Sequence, residues 1–206
     1  MVVRPLAVTS GPPVQQSGHV RSRIAVAAVL AGVTAACTSG DPSTRREAAS
    51  SPPPAASATV RCDEAIGGGQ APSGDLQVVG DAVALPTSKS RAQALQAAEA
   101  ELPGGGSGWF AKQGLLVRRG RHVEVTVPEG LTGRLWLAWG SPGSPGARVV
   151  VDRCESGDEW IAFAGGYIVR EAGCLPIRVR VDGGAVHEVL IGVGAPCRGQ
   201  KPAPRV

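Results

Sequence analysis

Three histidines, five cysteines and four tryptophans carry most of the reactive and recognition chemistry open to this 206-residue chain. A metal or acid–base site needs such groups at short, regular spacings. His122 follows Arg118, Arg119 and Arg121 at the start of an apolar run, and His187 stands at the mouth of a C-terminal hairpin. Neither belongs to a His-x-His or His-x-x-x-His pair, so no zinc site is expected. No Gly-x-Ser-x-Gly elbow occurs. The glycine runs Gly67–Gly69 and Gly104–Gly106 lack the Lys-Ser/Thr that completes a phosphate loop. Asp152, Glu155, Asp158 and Glu159 crowd around Cys154, but their spacing matches no EF-hand loop and Arg153 opposes a cation. The reading is a solvated turn, with no catalytic residue, no metal and no cofactor assigned.

Recognition is the other chemistry available. Trp136 and Trp139 fall on opposite faces of Leu135–Trp139 by strand parity, while Trp109 and Trp160 open their runs beside glycine or charge. Indole faces turned to solvent can stack on sugar rings, so Trp109, Trp139 and Trp160 form the candidate ligand surface. The turn Arg118-Arg119-Gly120-Arg121 could approach anionic head groups or wall polymers.

Compartment is written near the start. Ile24 to Val33 is apolar, Arg21 and Arg23 precede it, and Thr34-Ala35-Ala36 leads into Cys37. The apolar run has the length of a signal-peptide core and is too short to span a bilayer as a helix. This resembles a bacterial lipobox, which implies cleavage before Cys37 and acylation of its thiol with palmitate-type chains. Thr34 departs from the usual Leu three residues before the cysteine. Val20-Arg-Ser-Arg would make an ordinary opening for such a signal, so translation is expected to begin near Val20. No Arg-Arg pair precedes the core, which argues against twin-arginine export.

Removing residues 1–36 changes the charge. Arg4, Arg21 and Arg23 leave with the signal and no acid does, so 18 of the 21 basic residues remain against 17 acids. A near-neutral chain gives no reason to invoke nucleic acid. Four cysteines follow Cys37, namely Cys62, Cys154, Cys174 and Cys197. No Cys-x-x-Cys pair suggests a metal, and an even number in an oxidising compartment suits two disulfides.

These groups need elements to position them. Residues 37–59 lack any large apolar side chain after the lipidated cysteine and read as a disordered tether, stiffened at Pro52–Pro54. Residues 60–197 make one domain, and 198–206 a flexible tail. Within the domain, Leu76–Leu85, Trp109–Val117, His122–Val127, Arg134–Trp139, Arg148–Val151, Trp160–Val169, Leu175–Val181 and Val186–Val193 are short runs rich in Val, Ile, Leu and Trp, punctuated by Gly and Pro. The expected fold is all-β, an antiparallel β-sandwich of seven or eight strands, Ig-like or jelly-roll-like. The Ala/Gln/Glu-rich stretch from Thr87 to Leu102 predicts a short surface helix or mobile insert. Gly165-Gly166 predicts a bulge.

For the last hairpin, a connection through Gly183, Gly184 and Ala185 sets Val181 opposite His187, Ile177 opposite Ile191, and Arg180 opposite Glu188. That register brings Cys174 and Cys197 to one end and leaves Cys62 for Cys154. Pairing Cys62 with Cys197 and Cys154 with Cys174 satisfies the same count.

Trp160–Val169, Cys174–Val179 and Ile191–Cys197, with Phe110–Val117, are similar to uncharacterised secreted or lipid-anchored proteins of actinobacteria. The resemblance spans roughly residues 109–197 and implies an extracytoplasmic protein; it brings no catalytic residue. The expectation is a non-enzymatic binding module, lipid-anchored on the outer face of the cell membrane, facing a cell-wall glycan or an envelope protein. The alternatives are a cell-wall-directed hydrolase or ligand-sequestering domain, and a scaffold subunit of an envelope complex.

Overall fold

The computed structural model describes residues 57–204 apart from Gln70, Ser73 and Pro142. The signal segment, Cys37 and the tether as far as residue 56 lie outside the described residues. The described chain is all-β. Its strands are β1 (Ser57–Val60), β2 (Ala65–Gly69), β3 (Gln77–Val79), β4 (Val83–Leu85), β5 (Ala98–Glu101), β6 (Ser107–Lys112), β7 (Leu115–Arg118), β8 (Val123–Thr126), β9 (Leu135–Trp139), β10 (Arg148–Val151), β11 (Trp160–Phe163), β12 (Gly165–Val169), β13 (Gly173–Val181) and β14 (Val186–Val193). Three sheets result, ordered β1-β10-β8-β13-β14, β2-β11-β7-β4-β3 and β5-β6-β12-β9. All pairs are antiparallel except β1 with β10, which run parallel.

Strand parity explains why these residues form these sheets. Val123 and Val125 of β8 are buried while Glu124 and Thr126 face outward; Ile177, Val179 and Val181 of β13 are buried while Arg178 and Arg180 face outward. Inward side chains from all three sheets, among them Leu85, Leu115, Leu135, Phe163 and Ile191, meet in one apolar core, as in a β-sandwich.

Each of the eight apolar runs is strand, but three of them divide. Leu76–Leu85 turns back at Gly80-Asp81, both at positive φ (56° and 58°), so it forms the β3–β4 hairpin rather than one strand. The other two divide at a shared corner. Lys112 pairs with Gly166 and Leu115 with Phe163 in a single unbroken register, joined by Gln113 N–H donating to the Gly165 carbonyl at 2.8 Å. One long ladder therefore leaves the β6–β12 sheet and enters the β7–β11 sheet. Gly165-Gly166 inserts no extra residue at this corner. These glycines allow backbones to touch: a Cβ on Gly165 would lie 2.0 Å from the Ala138 carbonyl oxygen, and one on Gly166 2.1 Å from that of Ala111.

Thr87 to Leu102, expected as a short surface helix or mobile insert, holds no helix: a turn over residues 88–90, closed on the Thr87 carbonyl, leads into extended chain that ends in β5. Leu95 and Leu102 make too thin an apolar stripe to hold a helix against the domain. In extended form Ala94 and Leu95 are buried, and Leu95 exchanges hydrogen bonds with Gly192 and Gly194 along the outer edge of β14. Tertiary pairing thus overrides helix propensity and covers a sheet edge. The chain after Cys197 takes part in the same arrangement. Lys201 N–H donates to the Ala92 carbonyl and Ala94 N–H to the Lys201 carbonyl, so residues 198–201 are pinned and not a loose tail. Gln200 secures them: its amide NH2 donates to the Arg91 carbonyl and its Oε1 accepts from Cys197 N–H.

The last hairpin differs by two residues from the expected register. Val181-Asp182-Gly183-Gly184 is a tight turn, with Asp182 and Gly183 at positive φ (48° and 72°) and Gly184 N–H bonded to the Val181 carbonyl. Arg180 pairs with Val186, Arg178 with Glu188 and Ile177 with Val189. A shift of two preserves the face of every side chain, so the aliphatic and charged faces are as expected while the partners change. Asp-Gly at the turn is the signal that selects this register.

Candidate functional site

The outward face of the β8–β13–β14 region carries a charged concavity. Two cross-strand rows build it. One runs Arg148, Thr126, Arg178, Glu188, and the other Val150, Glu124, Arg180, Val186. Between them lies an open groove of about 520 Å³ lined by Glu124, Thr126, Arg178, Arg180, Val186 and Glu188. Two of its arginines are matched. Arg178 Nε donates to Glu188 at 3.2 Å, and Arg148 reaches Glu124 at 3.1 Å. Among the described residues Arg180 makes no ion pair and leaves an uncommitted guanidinium over the groove. Burial alone would raise the Glu124 carboxyl; Arg148, His122 and Arg180 together hold it below the usual carboxylate range. Val186 and Leu190 expose 47% and 44% of their surface on this face, so aliphatic and charged contacts alternate.

His122 closes one end of the face. Its Nδ1 lies 3.3 Å from Asp152 and its Nε2 3.5 Å from Glu124, while its backbone N–H donates to Asp182 at 3.0 Å. Arg121 donates to the other Asp182 oxygen at 2.5 Å. Each ring nitrogen faces a carboxylate, and no hydroxyl or thiol stands within reach in these contacts. The arrangement ties the start of β8 to the β13–β14 turn and to the loop after β10.

The tryptophans do not form the surface expected of them. Trp139 is 1% exposed, with its indole N–H donating to the Gln113 carbonyl at 2.7 Å, and Trp160 is 4% exposed. Trp139 shares the inward face of β9 with Leu135 and Leu137, whereas Trp160 is buried on the face of β11 opposite the core residues Ile161 and Phe163. Trp109 alone of the three is open, at 37%. The Arg118–Arg121 turn is likewise committed. Arg118 pairs with Glu159 at 2.8 Å, Arg119 donates to the Ser156 carbonyl at 3.1 Å, and Arg121 binds Asp182. Arg118 and Arg119 fasten the 152–160 loop, and Glu159 is the one acid around Cys154 that these arginines meet, whereas Arg121 ties down the β13–β14 turn. No group of three metal-ligating side chains gathers among the described residues.

Cys62 is bonded to Cys154 and Cys174 to Cys197. These bridges suit an oxidising, extracytoplasmic environment. No helix among the described residues is long and apolar enough to cross a membrane. The arginine face was legible in part: Ile177-Arg-Val-Arg-Val181 announces two outward guanidinium groups, but only the fold brings Arg148 and Glu124 beside them. No protein-family model matches the chain, and no curated protein is detectably similar to it.

Proposed function

We propose that this protein is a lipid-anchored binding module, tethered through Cys37 to the outer face of the cell membrane, whose β8–β13–β14 face docks a component of the cell envelope. The observation that carries the reading is the uncommitted Arg180 guanidinium in a groove whose other charges are paired. Arginine beside exposed aliphatic side chains is a composition suited to recognition, with paired rim charges setting orientation more than affinity. The lipobox-like segment supports the anchor, the disulfides support the compartment, and the resemblance of residues 109–197 to secreted or lipid-anchored actinobacterial proteins agrees with both.

Two measurements test this. Mass spectrometry of the membrane-extracted protein is expected to find an acylated N-terminal Cys37, and Cys37→Ala to release the chain from the membrane. Photo-crosslinking from position 186 of the intact anchored protein is expected to capture an envelope component, and Arg180→Glu to abolish that capture. An unmodified cytosolic chain, or capture indifferent to Arg180, overturns the corresponding half of the proposal.

A further inference from the structure

A second surface carries a different chemistry. Trp109 stands near the start of β6, where β5 and β6 run past the core. The antiparallel register sets Glu99 of β5 directly opposite Trp109 on the same sheet face, and Glu101 opposite Ser107. Directly opposed residues hold their Cβ atoms about 5 Å apart. Glu99 and Glu101 are exposed and form no ion pair among the described residues.

Beside the indole opens a cleft of about 540 Å³ walled by Gln96, Ala97, Ala172, Gly194, Ala203 and Pro204. The small walls keep the cleft open. Gly194, at φ +67°, packs so closely that a Cβ there would lie 2.9 Å from the Ala172 methyl and 3.4 Å from that of Ala97. The far wall follows the pinned segment, in which Lys201 bonds to Ala92 and Ala94. An aromatic face and small walls thus share one concavity, and Glu99, which lines a separate depression with Glu101 and Ser107, flanks the indole as its cross-strand neighbour.

We infer that the Trp109 cleft binds an aliphatic ammonium group, such as a lysine-type side chain of a peptide. The methylene stem lies along Ala97, Ala172, Ala203 and Pro204, as long cationic side chains do on apolar surface. The ammonium head rests against the indole face, where the ring quadrupole attracts it, and within reach of the Glu99 carboxylate. Charge complementarity selects this occupant. A neutral chain of the same length would fill the walls and leave Glu99 without its partner. This site is independent of the β8–β13–β14 face, and Arg180→Glu is expected to leave it unchanged.

The test is a titration of the 15N-labelled full chain with Nα-acetyl-lysine amide and, separately, with its neutral analogue Nα-acetyl-norleucine amide. The readout is the indole N–H signal of Trp109, assigned by its disappearance in Trp109→Phe. The lysine probe is expected to shift that signal, and the norleucine probe to bind about tenfold more weakly. Glu99→Gln, an exposed substitution that spares the fold, is expected to weaken lysine binding about two- to fivefold and leave norleucine binding alone. Equal binding of the two probes, indifference to Glu99→Gln, or an unmoved Trp109 signal overturns the assignment. So does a chito-oligosaccharide that moves Trp109 at lower concentration than the lysine probe.

Discussion

Trp139, the last residue of β9, and Tyr167 of β12 meet edge to face in the core, with ring centroids 5.1 Å apart and planes at 82°. The two rings bury equally well but differ in their polar atoms. The Trp139 N–H reaches the Gln113 carbonyl across the corner, whereas the Tyr167 hydroxyl has no hydrogen-bond partner and its burial raises the phenol far above its ordinary pKa. A buried hydroxyl without a partner opposes folding. Tyr167→Phe is therefore expected to hold stability or raise it by up to about 1 kcal/mol. Trp139→Phe should lower it by about 2–4 kcal/mol, since it strands the Gln113 carbonyl and leaves a void. Urea unfolding with an unchanged slope reads both, and a destabilised Tyr167→Phe would show that the hydroxyl is satisfied in solution.

The two disulfides close loops of very different length. Cys62 and Cys154 are separated by 92 residues, and Cys174 and Cys197 by 23. If the bridges act mainly on the unfolded chain, the longer loop contributes about 4.6 kcal/mol and the shorter about 3.4 kcal/mol. Replacing Cys62 and Cys154 together by Ala should cost the more, by about 1 kcal/mol. Equal losses in paired denaturation curves would mean that native packing around the bridges, rather than loop entropy, sets their worth.

Two glycines with positive φ separate steric from conformational demand. Gly165→Ala drives a methyl into the Ala138 carbonyl and the Trp139 ring at the sheet corner. That contact is with backbone that cannot retreat, so the variant should fail to accumulate or lose well over about 3 kcal/mol. Gly183→Ala meets open space at φ +72° and pays only for the left-handed backbone, about 1–2 kcal/mol. Soluble yield and thermal midpoints of the pair distinguish the two mechanisms. Similar losses would deny the corner its close approach.

What the sequence could reveal follows the range of the interaction. Alternation in Val123–Thr126 and Ile177–Val181 is local, and it foretold which faces are buried. The Asp182-Gly183 turn was also local, and it marks the hairpin register more firmly than the Gly183-Gly184-Ala185 connection does. Other features depend on distant partners. Thr87–Leu102 carries helix formers, yet its fate was decided by the free edge of β14 and by Gln200, more than a hundred residues away. Trp139 is expected at a surface because parity separates it from Trp136 without saying which of the two faces is covered, and Trp160 because it opens its run beside charge, a position that does not report burial. The Arg180 groove needed Glu124 and Arg148, whose nearness exists only after β8, β10 and β13 have paired.

Asp182 gives the fold an acid limit. Its carboxyl accepts the His122 backbone N–H and the Arg121 guanidinium, and these hold it below the ordinary aspartate range. Asp152 is lowered likewise by the Arg153 backbone N–H and by His122. A carboxyl lowered in the folded state binds its proton more readily when unfolded, so it stabilises the fold fully above the unfolded value, about 3.9 for Asp. That stability drains away as pH falls from there through the lower folded value. The domain should thus keep its thermal midpoint from neutrality to about pH 5 and lose part of it below about pH 4, the loss being limited because solvent screens these surface carboxyls. Asp182→Asn retains an oxygen for the His122 N–H and tolerates φ +48°, but it lacks the charge that meets Arg121 and Arg153. It should be less stable than the parent at pH 7 and approach it near pH 2. Parallel curves for the two proteins across that interval would show that the Asp182 contacts persist when protonated, and that the acid limit lies elsewhere.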